Sequence, residues 1–172
     1  MKMSLILLGI VGLFSLGAFA QTPNFSGEWM LDKAKSKMDE RQSASIEGQT
    51  LTTEQTDKEI KITVTTKQKS GGLGANQVDV GGSKNIYTFD GKEVTVESDS
   101  GIGKVLSRFK GELSEGKLKL QSIRTFNTAM GDVSLTTKES WGLSADGKTL
   151  TIKRESESQR GKLESEWVYT RK

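Results

Sequence analysis

The sequence predicts an all-β protein, an up-and-down antiparallel barrel of about eight to ten strands, with a two-sheet sandwich as the alternative. Three observations carry this expectation. The chain is a succession of short runs in which apolar and polar residues alternate. An acidic-Gly-Lys turn signal recurs at Asp90-Gly91-Lys92, Glu115-Gly116-Lys117 and Asp146-Gly147-Lys148. Helical periodicity is almost absent, and Pro23 is the only proline.

In chain order, the first element is a secretion signal over residues 1–20. Lys2 supplies its charged start, Leu5–Leu16 its apolar stretch, and Ala18-Phe19-Ala20 fits the small-x-small rule for cleavage before Gln21. Cleavage there leaves about 150 residues, the size of one domain spanning 21–172. The expected location is periplasmic or extracellular, in soluble form. A first strand follows at once in Asn24-Phe25-Ser26-Gly27-Glu28-Trp29. Asp32–Arg41 is expected to form a short helical turn capping one end. The strand Glu59–Thr66 carries Ile60, Ile62 and Val64 on one face, and the Gly-rich stretch Ser70–Ser83 then reads as a long loop at a barrel mouth.

The three turns allow registers to be written down. Asp-Gly suits a two-residue type I′ loop, because both central residues need positive φ. Around Asp146-Gly147, Leu143 then faces Leu150, Trp141 faces Ile152 and Glu139 faces Arg154, while Lys138 meets Glu155 on the other face. Around Glu115-Gly116, Leu113 faces Leu118, Phe109 faces Ser122 and Val105 faces Phe126, with Glu112 against Lys119. Apolar partners on one face and opposite charges on the other are the arrangement that cross-strand energetics favour. A one-residue slip would exchange the faces. Around Asp90-Gly91 the same rule pairs Tyr87 with Val94. The chain turns again through Asn127–Asp132, and on the last strand Leu163, Ser165, Trp167 and Tyr169 share a face. A meander of this kind hides its edges by closing.

Composition excludes several classes of function. The chain has no Cys, so no disulfide or lipid-attachment site supports it, and no His. Neither a Ser-His or Cys-His nucleophile nor a zinc site with imidazole or thiolate ligands can be built, and no metal or cofactor is expected. The formal net charge is +3, with Lys2 supplying one unit, and lysines and glutamates are interspersed. With aromatics at 6 % of the chain, that is no nucleic-acid footprint. Gly101-Ile102-Gly103-Lys104 and Gly71-Gly72-Leu73-Gly74 lack the context of a phosphate-binding loop. The outward faces carry Lys119, Gln121, Ser134, Thr136, Lys138, Thr149 and Lys153, which no lipid-facing barrel would present, so the protein is not expected to be membrane-integral.

The opening Phe25-Ser26-Gly27-Glu28-Trp29-Met30-Leu31 at the head of a β-meander resembles the glycine-x-tryptophan start of the calycins, the lipocalins and fatty-acid-binding proteins. The closing Trp167-Val168-Tyr169-Thr170-Arg171-Lys172 is similar to the end of a fatty-acid-binding protein. The mature chain as a whole resembles small secreted bacterial lipocalin-like proteins with a late "ADGKTLTI" hairpin. This resemblance implies a barrel whose Trp29 closes the base under an arginine from a late strand, for which Arg154 is a candidate. It also marks a departure. The Arg-x-Tyr pair that holds a ligand carboxylate on the last strand of fatty-acid-binding proteins is absent, because Trp167 stands two before Tyr169. No helix-turn-helix lid is evident.

The inward face derived from the registers mixes polar with apolar residues: Ser107, Ser122, Arg124, Thr137, Glu139 and Arg154. Glu139 and Arg154 pair across the strands, whereas Arg124 has no acidic partner in this register and suits bidentate binding of a ligand carboxylate or phosphate. The candidate ligand contacts are Arg124, Glu139, Arg154, Trp141, Ser122, Thr137 and Tyr169. The expected function is non-catalytic binding of a small apolar or amphipathic molecule. The alternatives are a protein-interaction or inhibitor module acting through Ser70–Ser83 and Ser98–Lys104, and an enzyme using Glu139 as general acid or base. Oligomeric state cannot be read from these features.

Overall fold

The fold was analysed in a computed structural model that describes residues 22–68, 79–100, 103–114, 116–128 and 131–172, with the backbone alone at 79–83, 100 and 103. The leader with its cleavage site, residues 69–78, which hold most of the Ser70–Ser83 stretch, and Gly101-Ile102, Glu115 and Ala129-Met130 lie outside the described residues.

The elements are β1 (Gly27–Leu31), α1 (Glu40–Ser45), β2 (Ile46–Gln55), β3 (Glu59–Gln68), β4 (Asp79–Thr88), β5 (Val94–Ser100), β6 (Gly103–Ser114), β7 (Lys117–Thr128), β8 (Gly131–Leu143), β9 (Thr149–Ser158) and β10 (Gly161–Arg171). They form a single antiparallel sheet in the order β4-β3-β2-β1-β10-β9-β8-β7-β6-β5, curled into a nearly closed barrel. One sheet rather than two decides against the sandwich. Pairing of β1 with β10 joins the ends of the chain, with Trp29 opposite Arg171 and Leu31 opposite Tyr169.

The two well-supported hairpins have the registers expected of them. Glu139 faces Arg154 and Trp141 faces Ile152 between β8 and β9. Phe109 faces Ser122 and Val105 faces Phe126 between β6 and β7. The loop around Asp146-Gly147 is nevertheless longer than two residues. Gly147 N–H donates to Ser144 O at 2.9 Å and Ser144 N–H to Thr149 O at 2.9 Å, so Ala145–Lys148 forms a four-residue loop. Gly147 takes the left-handed conformation, with φ +67°. A four-residue loop with the same centre leaves every partner unchanged, which is why the register holds although the turn type differs.

The third pairing is corrected. β4 and β5 are the two ends of the sheet order and share no ladder. Tyr87 pairs with Ile60 on β3, and Val94 pairs with Phe109 on β6. The cause lies at Gly111. A Cβ placed there would stand 2.9 Å from Thr88 O and 3.1 Å from the Tyr87 Cβ, so glycine lets the end of β4 pack directly on β6. The barrel closes by this contact, and a seam is left beside β5 where backbone hydrogen bonds would otherwise run.

Other boundaries move too. The helical turn is α1 rather than Asp32–Arg41; Asp39 caps it, with Oδ1 accepting from Arg41 N at 2.8 Å and Gln42 N at 3.0 Å. The segment before it bridges to β10 instead, Lys37 and Glu166 exchanging backbone hydrogen bonds of 2.7 and 2.8 Å. Asp79–Ser83, expected in a loop, belongs to β4, and Ser98–Ser100 and Gly103-Lys104 belong to β5 and β6, with Ser100 opposite Gly103. Asn127–Asp132 is likewise mostly strand, with Asn127 opposite Asp132.

The buried core fills one end of the barrel. Phe25, Trp29, Leu51, Ile60, Leu118, Trp141, Leu150, Ile152 and Tyr169 are its fully or almost fully buried members. Phe25 and Trp141 meet edge to face with ring centroids 6.0 Å apart, and Tyr87 meets Phe109 at 5.2 Å. The Trp29 indole N–H donates to Phe25 O at 3.1 Å and to Thr53 Oγ1 at 3.2 Å. The Arg171 guanidinium lies 4.2 Å from the centre of the Trp29 ring. The arginine over the base tryptophan is therefore Arg171, not Arg154, which stacks on Trp167 at 4.7 Å.

Candidate ligand-binding site

Because side chains two apart on a strand share a face, the ladders from β6 to β10 stack as layers from the base of the barrel to its mouth. At the base Leu143, Leu150 and Tyr169 form one apolar layer, and Leu113, Leu118, Trp141, Ile152 and Trp167 form the next. Above it lie Gly111, Leu120, Glu139, Arg154 and Ser165. The next holds Phe109, Ser122, Thr137, Ser156 and Leu163. Ser107, Arg124, Leu135 and Ser158 follow, and Val105, Phe126 and Val133 form the rim. The interior thus passes from hydrocarbon to an ion pair, to hydroxyls, to a single cation, and back to hydrocarbon.

The ion pair is the floor of the open part. Arg154 Nε donates to Glu139 Oε1 at 2.7 Å, and the Trp141 indole N–H donates to Glu139 Oε2 at 2.8 Å. Their side chains keep only 24 % and 13 % of their surface exposed, so each charge needs the other. Burial disfavours the Arg154 cation, but Glu139 together with Tyr169 and Tyr87 outweighs it, and the guanidinium pKa is raised.

Two tyrosines flank this pair. Tyr169 donates its hydroxyl to Gln49 Oε1 at 2.5 Å, and Gln49 Nε2 donates to Thr66 Oγ1 at 2.8 Å. Burial raises the pKa of both Tyr169 and Tyr87; the Glu139 charge adds to the rise, while Arg154 opposes it at each and Arg124 opposes it at Tyr87. A phenol whose folded pKa is raised contributes stability in full below its unfolded value of about 10 and loses it as pH climbs above that value. These are the chain's only tyrosines. Alkaline titration followed at 295 nm is expected to show no tyrosinate while circular dichroism stays native, then both ionisations together with unfolding. Independent titration near pH ~10 in the native state would contradict their burial.

Of the sequence-derived candidates, Glu139, Arg154, Ser122 and Thr137 lie together on the inner face, and Arg124 stands above them. Trp141 and Tyr169 are fully buried beneath, in the core. Arg124 has a neutral partner that its own hairpin could not reveal: its Nη2 donates to Asn85 Oδ1 on β4 at 3.3 Å. Asn85, Tyr87 and Gln49 were not among the candidates. They come from β2 and β4, whose partners on β3 are not among the registers written from the acidic-Gly-Lys turns.

At the mouth, inward-facing apolar side chains remain accessible: Val96 at 46 %, Val133 at 39 % and Leu163 at 37 %. A cleft of about 350 Å³ opens beside Val96, with Arg124 on one wall and Asn85 and Val96 on the strands either side of the seam; Val133 and Leu163 lie outside its lining. A larger depression of about 780 Å³ runs along β6–β10, lined by exposed residues such as Lys119, Lys138 and Glu164 together with Glu139 and Arg154 of the ion-pair layer. Among the described residues no three His, Cys, Asp or Glu side chains gather as a metal site requires, and no helix is long and apolar enough to cross a membrane.

Comparison with protein-family models, with curated proteins and with solved structures finds no match.

Proposed function

We propose that this is an exported, non-catalytic binding protein whose barrel holds a small apolar or amphipathic molecule at its open end. The observation that carries the reading is the contrast between the two ends. The base buries Phe25, Trp29 and Trp141 almost completely, whereas Val96, Val133 and Leu163, which share ladders with the inward residues Ser107, Phe126 and Ser156, stay accessible. Hydrocarbon left open on a concave inner surface beside a few polar groups is the usual makeup of a small-molecule site.

Catalysis by Glu139 is disfavoured, since Arg154 and Trp141 engage its two carboxylate oxygens. The reading of an interaction module loses support at Ser98–Lys104, whose described residues pair as strand rather than stand as a presenting loop.

The test uses N-phenyl-1-naphthylamine, an uncharged fluorophore that brightens in apolar surroundings. Saturable one-site binding is expected. Val133→Lys, a change at a partly exposed position, should leave folding intact and weaken binding by about tenfold, equivalent to ~1.4 kcal/mol. Absence of saturable binding, or binding indifferent to Val133→Lys, contradicts the reading.

A further inference from the structure

The seam between β4 and β5 has a chemistry of its own. No ladder joins these strands, and the cleft of about 350 Å³ lies across the gap between them. Arg124 faces it from β7. Among the described residues its one hydrogen bond, 3.3 Å to the neutral Asn85, is long beside the ~2.7–2.9 Å of a charge-assisted contact to a carboxylate. No carboxylate among the described residues forms an ion pair with Arg124, although Arg154, two strands away in the sheet, has Glu139 at 2.7 Å. Ser107 and Ser98 add hydroxyls to the cleft, and Lys84 stands exposed at its edge. Val96, Val105 and Phe126 supply its apolar wall.

We propose that the seam is an oxyanion subsite. The guanidinium of Arg124 takes a carboxylate or phosphate-monoester head in place of its weak bond to Asn85, Lys84 adds a second positive charge at the rim, and the apolar body lies on Val96, Val105 and Phe126. The anion is held from β7 through the side of the barrel, away from the last strand. The volume sets a limit as well. Small-molecule sites span ~300–1,000 Å³, so a cleft near the low end suits a short chain. The inference rests on the binding reading above and adds to it the charge, the position and the size of the ligand.

Octanoate, octyl phosphate and 1-octanol separate the two claims, because they share a chain and differ in head group. Displacement of bound N-phenyl-1-naphthylamine should show octanoate or octyl phosphate binding about tenfold or more tightly than octanol, the scale of a hydrogen bond to a charged group. Arg124→Gln should bring the anions down to the octanol level and leave octanol unchanged. Asn85→Asp tests the same point without removing the arginine, since a carboxylate beside Arg124 satisfies its charge; it too should abolish the preference for anions. If the two anions and octanol compete equally in the wild-type protein, or if the anion preference survives both substitutions, the oxyanion subsite is wrong while the cavity stands. If none of the three displaces the fluorophore, the subsite and the cavity fall together. The relative affinities of octanoate and octyl phosphate show which head group the subsite prefers.

Discussion

Trp141→Ala is expected to lower the unfolding free energy by about 3–5 kcal/mol, the range for deleting a large aromatic from a packed core. Three features place it in that range. The ring is almost wholly buried, it meets Phe25 edge to face at 6.0 Å, and Leu118 and Ile152 flank it in the ladder. Its indole N–H also donates to Glu139 Oε2 at 2.8 Å, so truncation leaves one oxygen of a poorly hydrated carboxylate without its donor. Urea denaturation measures the loss. A change below about 1 kcal/mol would mean that the ring is not buried as described.

Glu139→Gln is expected to cost about 3 kcal/mol, at the lower end for breaking a buried pair, because Arg154 retains some access to water. The substitution keeps shape and leaves an oxygen for the Trp141 N–H; what it removes is the countercharge of Arg154. Stacking of the guanidinium on Trp167 at 4.7 Å offsets only part of that loss. Arg124→Gln provides the contrast. Its hydrogen-bond partner Asn85 is neutral, so stability should stay within about 0.5 kcal/mol of wild type. Equal destabilisation by the two substitutions would put Arg124 inside the structural ion network and remove it from any ligand site.

Much of the half from β6 to β9 was legible because cross-strand chemistry reports register directly. Glu112 against Lys119 and Lys138 against Glu155 on one face, with Leu113–Leu118 and Trp141–Ile152 on the other, leave no second alignment that makes sense. The Glu139–Arg154 pair followed from that alignment alone. Asp90-Gly91-Lys92 carried the same turn signal and misled, because a turn fixes register only when its strands go on to pair. Here Gly111 draws the end of β4 onto β6 instead. Asn85 therefore reaches Arg124 from a strand with which β7 shares no ladder, and a local pattern cannot announce such a contact. Arg171 was missed for a related reason. It reaches Trp29 through the β1–β10 ladder, which joins the two ends of the chain, whereas Arg154 lies in a hairpin that could be registered. The site is thus readable where it is built from one hairpin and hidden where closure of the barrel builds it.

The most direct test of the binding account is an amide chemical-shift map of isotopically labelled protein titrated with N-phenyl-1-naphthylamine. The account predicts saturable shifts centred on Val96, Arg124, Phe126, Val133, Leu135 and Leu163, with the amides of Trp29, Leu51 and Leu150 at the filled base unmoved. Shifts confined to the outer surface around Lys119, Lys138 and Glu164, or no saturable shifts at all, would contradict it.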